Sequence, residues 1–446
     1  MNRKPMSKNQ DLAELPLPGV SQLPPTPPSD APAWAEWARQ AGADGALRAF
    51  AAVLTGDATS RSGLSTLLQV RPTTVSAWVA AMVRAGLVTE LPSQPLTRGR
   101  PLGQLVANPD RLVASVLTVR SQALHLVTVN LLGQVLWHDS ALLPLGGANE
   151  AMADVLRRLQ QAAVARLRPD AALAGVGYAL SGLVDVAGAR WMFVSRWPAI
   201  RNLALHESTW PPATTVHVVR NMDAQLRARG LRRGDAGQGE RTLLLHWGYG
   251  VGASFSAGRG ALIDDSPGFG EVGHWRVAGQ EMRCRCGQTG CLETVAALWA
   301  IGPQLLGRNF DDAMDETQAA DLLRGMPLAQ HPVFGLALQE MLLAVGNLCR
   351  IFFPTHLVVS GPFIENPGAW AAFKERFLSS GLLVDLPLPR LEAQHGGHQL
   401  EQEGAAMPLL LNGVLQLLRG PPAPDAAAPR KRASRSGRTS PAKPVG

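Results

Sequence analysis

Four side chains restrict this chain more than anything else in it. His274, Cys284, Cys286 and Cys291 follow the spacing His-x9-Cys-x-Cys-x4-Cys. Three thiolates and an imidazole form a soft donor set of the kind that encloses zinc tetrahedrally. Gly287 and Gly290 fall in the short loop between Cys286 and Cys291, where a tight turn must aim two sulfurs at one ion. Protein ligands fill every position, so the spacing predicts a structural Zn2+ and not a hydrolytic one. The competing reading is a set of buried or disulfide-linked cysteines. It is the weaker one, because Cys-x-Cys sulfurs rarely bridge each other and Met1-Asn2-Arg3-Lys4-Pro5 leads into no apolar signal segment. Cys349, in the apolar helical run Leu348-Cys349-Arg350-Ile351, reads as a core residue.

The chain has 446 residues, room for more than one domain, and no run of about 20 uncharged apolar residues marks a membrane span. A cytoplasmic, nucleoid-associated protein without a membrane partner is expected. The formal charge of +7 is unevenly placed. Residues 421–446 hold six lysines and arginines against Asp425, and residues 56–101 hold five arginines against Asp57 and Glu90. Basic ends on a near-neutral middle point to a polyanion at the ends and another task in the middle.

The first basic stretch has a readable order. Ser60 is placed to cap a short helix through Leu68, Gln69-Val70-Arg71 is a turn, and Pro72 suits the first turn of a second helix ending at Gly86. Val75, Val79, Met82 and Val83 make the expected buried stripe, leaving Thr73, Thr74, Ser76 and Ala77 outward. Segments 87–91 and 104–107 then read as the two strands of a wing, with Arg98-Gly99-Arg100-Pro101 at its tip. The pattern predicts a winged helix-turn-helix on double-stranded DNA. Thr73, Thr74, Ser76 and Ala77 would read the major groove, Arg71 a phosphate or base edge, and Arg98 and Arg100 the minor groove or backbone. A small helical bundle with an ordinary hairpin is the competing reading.

From Asn108 on, strands alternate with helices, as in α/β lobes with ligand loops at strand carboxyl ends. The expected division is a Pro-rich leader without fixed structure (1–32), a DNA-binding domain (33–107), a first α/β lobe (108–228), a second lobe with the zinc motif (229–420) and a basic disordered tail (421–446). The last helix of the second lobe is expected to pack back on the first.

Residues 45–418 resemble the ROK family (repressor, open reading frame, kinase) in its sugar-responsive regulator branch. Gly270-Glu271-Val272-Gly273-His274, continued through the cysteines to Leu292-Glu293, is similar to the family's zinc and sugar signature. The resemblance implies a two-lobed, actin-like sugar-kinase fold with a zinc loop. It implies zinc at His274, Cys284, Cys286 and Cys291, and sugar contacts from Asn221, Glu271, His274 and Glu293. It also implies a homodimer or homotetramer on an operator, answering to a sugar or sugar phosphate.

The departures from the family's kinases bear on activity. Their Asn-Asp pair, whose Asp is the general base, is Asn221-Met222 here, and a thioether accepts no proton. Asp223, one residue on, is turned about 100° away along a helix. The first phosphate loop is Leu117-Thr118-Val119-Arg120-Ser121-Gln122, without glycine. In the second glycine turn, Gly248–Gly252, Tyr249 replaces a small polar residue. The expectation is a regulator of carbohydrate genes without kinase activity. An active kinase fused to a DNA-binding head, and a sugar-independent regulator answering to a protein partner, are the alternatives.

Overall fold

The structure, a computed structural model, describes residues 44–92, 103–143, 148–205, 214–232, 239–257, 270–381 and 387–420, with positions 32, 34, 35, 38, 146, 210 and 211. The leader, the basic tail and the wing tip with Arg98 and Arg100 lie outside the described residues.

Helix α1 (Gly45–Leu54) begins where Asp44 accepts hydrogen bonds from the N–H groups of Ala46 and Leu47 at 2.9 and 3.2 Å. Helix α2 (Arg61–Leu68) is capped by Ser60, which accepts from Gly63 N–H at 3.1 Å, and it stops at Gln69, whose φ of 54° is left-handed. Pro72 opens α3 (Pro72–Arg84), where a missing N–H leaves nothing unsatisfied. Val75, Val79 and Met82 are buried, but Val83 is 42 % exposed and does not belong to the stripe. One residue past Met82, it is turned about 100° away from it. Strands β1 (Val88–Leu91) and β2 (Gln104–Ala107) pair antiparallel behind α3. Arg61 donates two hydrogen bonds of 2.8 Å to Glu90, tying α2 to this hairpin.

The first lobe is built on a five-stranded sheet. Its strands are β3 (Leu112–Arg120), β4 (Ala123–Asn130) and β5 (Val135–Leu142), then β6 (Ala172–Leu180) after helix α4 (Asn149–Ala165). A small sheet of β7 (Leu183–Asp185), β8 (Arg190–Phe193) and β9 (Arg201–Ala204) precedes β10 (Val216–Arg220). The main order is β10-β6-β3-β4-β5, parallel through β10, β6 and β3 and antiparallel beyond. Residues of α4 and the small sheet fill one face of it, around Tyr178, Trp191 and Trp197.

Helix α5 (Asn221–Arg232) leads to the second sheet, β11 (Thr242–Trp247) and β12 (Val251–Ser256). After the cysteine loop come α6 (Glu293–Ala296), α7 (Leu298–Leu306), α8 (Glu316–Arg324), α9 (Pro332–Phe352), β13 (His356–Ser360), α10 (Pro367–Ser379) and β14 (Arg390–Gln394). The sheet order is β12-β11-β13-β14. Helices α6, α7, α9 and α10 cover one face, around Trp247, Phe334, Phe363 and Phe373. Among the described helices α9 alone has the length and mean hydropathy of a membrane span, and it is half buried in this core. On the opposite face Leu226 of α5 meets Leu244 and Val358, so α5 lies between the two sheets.

The final helix, α11 (His398–Arg419), returns to the first lobe. A Cβ at Gly404 would run into Ala224 O, one at Gly177 would come within 3.1 Å of Ala405 O, and Gly413 lies against Leu112 and Ala174. The helix thus descends from the carboxyl ends of β6 and β10 to the start of β3. There it enters the core that also holds Trp34, Leu47, Phe50, Val75, Val79 and Met82. Trp34 Nε1–H donates to Leu131 O at 2.8 Å, a second tie between the first helices and the first lobe.

Candidate metal centre and interlobe seam

The cysteine loop hangs from β12. Ala253 N–H donates to Gly270 O at 2.8 Å, and Gly270 is left-handed with φ 82°, where a Cβ would collide with Ala253 O. A short 3-10 turn, Val272–His274, buries Val272 and points His274 at the loop. The loop is closed by backbone bonds from Cys284 N–H to Gln288 O (2.8 Å), Gly290 N–H to Met282 O (2.9 Å) and Leu292 N–H to Trp275 O (2.8 Å).

The ligand atoms of His274, Cys284, Cys286 and Cys291 all lie within 4.8 Å of one another. Cys284 Sγ is 3.7 Å from His274 Nδ1, and Cys286 Sγ is 3.7 Å from Cys291 Sγ. A tetrahedron with metal–sulfur bonds of about 2.3 Å has edges of about 3.8 Å, so the separations fit a single four-coordinate cation. Burial pushes the Cys291 thiol up to about 11 and the Cys284 thiol up as well. A cation among them would offset that cost and hold Cys284 and Cys291 as thiolates.

His274 faces the cysteines through Nδ1, and its Nε2 lies 3.7 Å from Glu271 Oε2. A ligand at Nδ1 leaves the proton on Nε2, which makes that atom a donor. Burial raises the pKa of Glu271, His274 opposes this, and the Glu293 charge adds to it. Glu293 opens α6 and is 4 % exposed. Its Oε1 accepts from Val251 N–H and its Oε2 from Trp299 Nε1–H, both at 3.1 Å. Glu271, His274 and Glu293 thus gather on the cysteine side of β12. Asn221 stands at the start of α5, which packs against β12, and its Nδ2 is 3.5 Å from Glu401 Oε1.

The neighbouring positions are filled by the protein's own side chains. Met222 packs near Leu226, Leu244 and Val358, and its sulfur faces Gly252. Asp223 is 6 % exposed and ion-paired to Arg220 at 2.6 Å, with Ser254 Oγ–H donating to its other oxygen. Burial raises its pKa against the pull of Arg220. Both carboxylate oxygens of Asp223 are thus taken, one by Arg220 and the other by Ser254.

At the second glycine turn Glu316 Oε1 accepts from Tyr249 N–H at 2.6 Å and stands 3.0 Å from His246 Nε2. Burial opposes ionisation of Glu316, but the His246 charge and these hydrogen bonds outweigh it and lower the pKa to about 2. Arg196 lies 3.4 Å above the Tyr249 ring, and burial pushes the phenol up to about 12. Tyr249 Oη–H and Arg285 Nη2–H both donate to Asp312, each at 2.9 Å. First-lobe groups reach the same strand of chain: Ser121 Oγ–H donates to Ala313 O, and Arg196 Nη1–H to Asp312 O at 2.7 Å. Residues 312–316 therefore strap the lobes together over the turn. Sequence reasoning missed this strap, and Glu401 with it, because each contact joins residues far apart in the chain.

Arg71, just before α3, and Thr73, Ser76 and Ala77 on it are exposed, and Thr74 is half-buried.

The profile of the ROK family matches residues 133–389. The DNA-binding transcriptional repressor Mlc of Escherichia coli is 26 % identical over 326 residues, covering 68 % of this chain and 77 % of that protein. The xylose repressor of Caldicellulosiruptor bescii is 24 % identical over 334 residues, covering 69 % of this chain and 80 % of that protein. Among solved structures, the crystal structure of a ROK family transcriptional regulator described as a homologue of E. coli Mlc superposes with a TM-score of 0.63 at 20 % identity, over 84 % of this chain and 98 % of the other. That likeness establishes the two-lobed α/β fold, and a family match over more than half the length settles descent: the chain belongs to the ROK family.

Proposed function

We propose that this protein is a DNA-binding transcriptional repressor of carbohydrate genes, and that its kinase-like body senses a sugar without phosphorylating it. The observation that carries the reading is α3. Its outward face offers Thr73, Ser76 and Ala77, with Arg71 at its N-cap, beside a two-stranded hairpin, the arrangement of a winged helix-turn-helix entering the major groove. Arg98 and Arg100 are assigned to the minor groove or the backbone. Repressors among the relatives point the same way.

Zn2+ is assigned to His274, Cys284, Cys286 and Cys291 as a structural ion. It fixes the His274 ring and performs no chemistry. Sugar hydroxyls are assigned to Asn221, Glu271, His274 and Glu293, where carboxylate acceptors and an imidazole donor suit a polyol. Phosphoryl transfer is unsupported by the residues present. Met222 stands in place of a base, Asp223 is spent on Arg220 and Ser254, and Glu316 takes the N–H of Tyr249. A carboxylate there repels the phosphate that a glycine turn otherwise receives.

A homodimer or homotetramer on a two-fold operator is the expected assembly, in the cytoplasm on the nucleoid. Sugar would change how the two lobes close, and through α11 the placement of α3. Its effect is limited by its differential affinity for the two states. The test is a gel-shift and footprint with the promoter upstream of its own gene. Binding released or altered by a sugar supports the reading. Purified, zinc-loaded protein that shifts no promoter fragment refutes it.

A further inference from the structure

The cysteine loop has little core of its own. Of residues 276–290 only Cys284 and Gly290 are buried, and Met282 is 48 % exposed. Backbone bonds such as Val277 N–H to Gly290 O (2.8 Å) and Gly290 N–H to Met282 O (2.9 Å) stay within the loop. A segment with so few buried apolar contacts opens easily. Thiolates drawn to one ion are what would hold it shut.

Arg285 stands between two of those sulfurs. Gly287 N–H donates to Cys284 O at 3.0 Å, closing a turn with Arg285 and Cys286 at its corners. The Arg285 side chain crosses to the strap. Its Nη2–H groups donate to both oxygens of Asp312, at 2.9 and 3.1 Å, and its Nη1–H donates to Tyr249 Oη. The guanidinium also lies 4.8 Å from the centre of the Trp299 ring, and Trp299 in turn holds Glu293. Beyond Asp312 the path enters the first lobe. Arg196 donates to Asp312 O at 2.7 Å with its guanidinium 3.4 Å over Tyr249, and Ser121 donates to Ala313 O.

Arg285, Asp312 with Tyr249, and Arg196 thus form one continuous path from the metal loop to the other lobe. A forked arginine is directional, so its hold on Asp312 depends on where the turn places its Cα. A turn pinned at Cys284 and Cys286 fixes that place, and an unpinned one does not. We propose that Arg285 is a clasp: through it, an ion held by Cys284 and Cys286 keeps the strap closed and the two lobes together. The clasp rests on the zinc assignment and not on the sugar reading. Loss of the ion frees the strap although no strap residue is a ligand. Coupling is reciprocal, so a strap that no longer grips Arg285 must also leave the ion less tightly held.

The test is hydrogen exchange on the full-length, zinc-loaded protein before and after zinc removal by EDTA, with the metal counted by elemental analysis. The reporters are Met314 N–H, bonded to Asp311 O at 3.0 Å, and Tyr249 N–H, which Glu316 holds. The buried strand β13 is the reference. Zinc removal should speed exchange at both reporters about tenfold and leave β13 protected. Arg285→Met should show the fast exchange with zinc still bound, and EDTA should add little to it. Asp312→Asn should do the same and should release zinc at a roughly tenfold lower EDTA concentration. Reporters that stay slow when zinc leaves the parent, or that stay slow in zinc-loaded Arg285→Met, overturn the proposal. If zinc removal unprotects β13 as well, the two zinc-loaded variants decide: fast reporters uphold the clasp and slow ones overturn it. Protein that takes up no zinc overturns the metal assignment itself, whereas zinc-bound protein with uncoupled reporters overturns the clasp alone.

Discussion

Replacing Glu316 by glutamine isolates the charge in the strap. The amide oxygen still accepts from Tyr249 N–H, so shape and backbone bonding are kept while the ion pair with His246 is lost. A carboxyl whose pKa is about 2 in place of 4.5 stabilises the ionised fold by roughly 3 kcal/mol at neutral pH. The side chain keeps 31 % of its surface, and screening brings the expected loss to about 1–2 kcal/mol. The Glu316 contribution is present above its ordinary value of 4.5 and disappears as pH falls towards 2. The His246 pKa is raised above 6.5, since the pull of Glu316 outweighs the opposing effect of burial. Its contribution is complete below 6.5 and fades as pH climbs through the raised value. The gap in stability between parent and Glu316→Gln should therefore be widest between those limits and shrink on either side. Thermal unfolding across the pH range reads it as a shift of a few degrees. A gap that is zero, or constant with pH, refutes the assignment of the pair as an ionised clamp.

Cys286→Ser should lose the bound metal, as counted by elemental analysis, and lower both melting temperature and sugar response. Sugar-controlled promoter release that survives the loss would show the loop to be only a staple. Arg71→Ala should weaken operator binding evenly across sequences and reduce the salt slope by about 1, measured by titration at several salt concentrations. Leu418→Ala, in the shared core at the end of α11, should cost about 2–4 kcal/mol and weaken promoter binding although it touches no DNA. Calorimetry should then show head and first lobe melting together; a separate low-temperature transition for the head would contradict the shared core.

Different parts of this architecture were legible for different reasons. The Cys3His cluster was readable because coordination chemistry demands few residue types at short spacing, and His274 to Cys291 supply them locally. The first helices were readable because caps are local too: Ser60, Pro72 and Gly86 mark their ends. Val83 was misplaced because one residue beyond Met82 a helix has already turned the side chain about 100° out of the buried stripe. Asp223 was read only as turned away from the base position; its partner Arg220, at the end of β10, lies three residues before it. Glu316, Asp312 and Glu401 carried no such clue. An acidic residue in the first turn of a helix reads as solvent-facing, and only the meeting of Glu316 with Tyr249, or of Glu401 with Gln225, makes it interior.

The core that α1, α3, β3 and α11 share leaves α3, the helix proposed to face DNA, no tether to swing on. A head on a flexible linker tolerates operators of many spacings, because the linker absorbs the misfit. A head welded to its lobe does not. Two such bodies in a complex hold their heads at one separation and one helical phase. Half-sites on B-DNA return to the same face about every 10.5 base pairs, so half a turn inserted between them sets one on the far side of the duplex. For such a protein the length of the operator's spacer is as much a part of the recognition sequence as the bases in its half-sites.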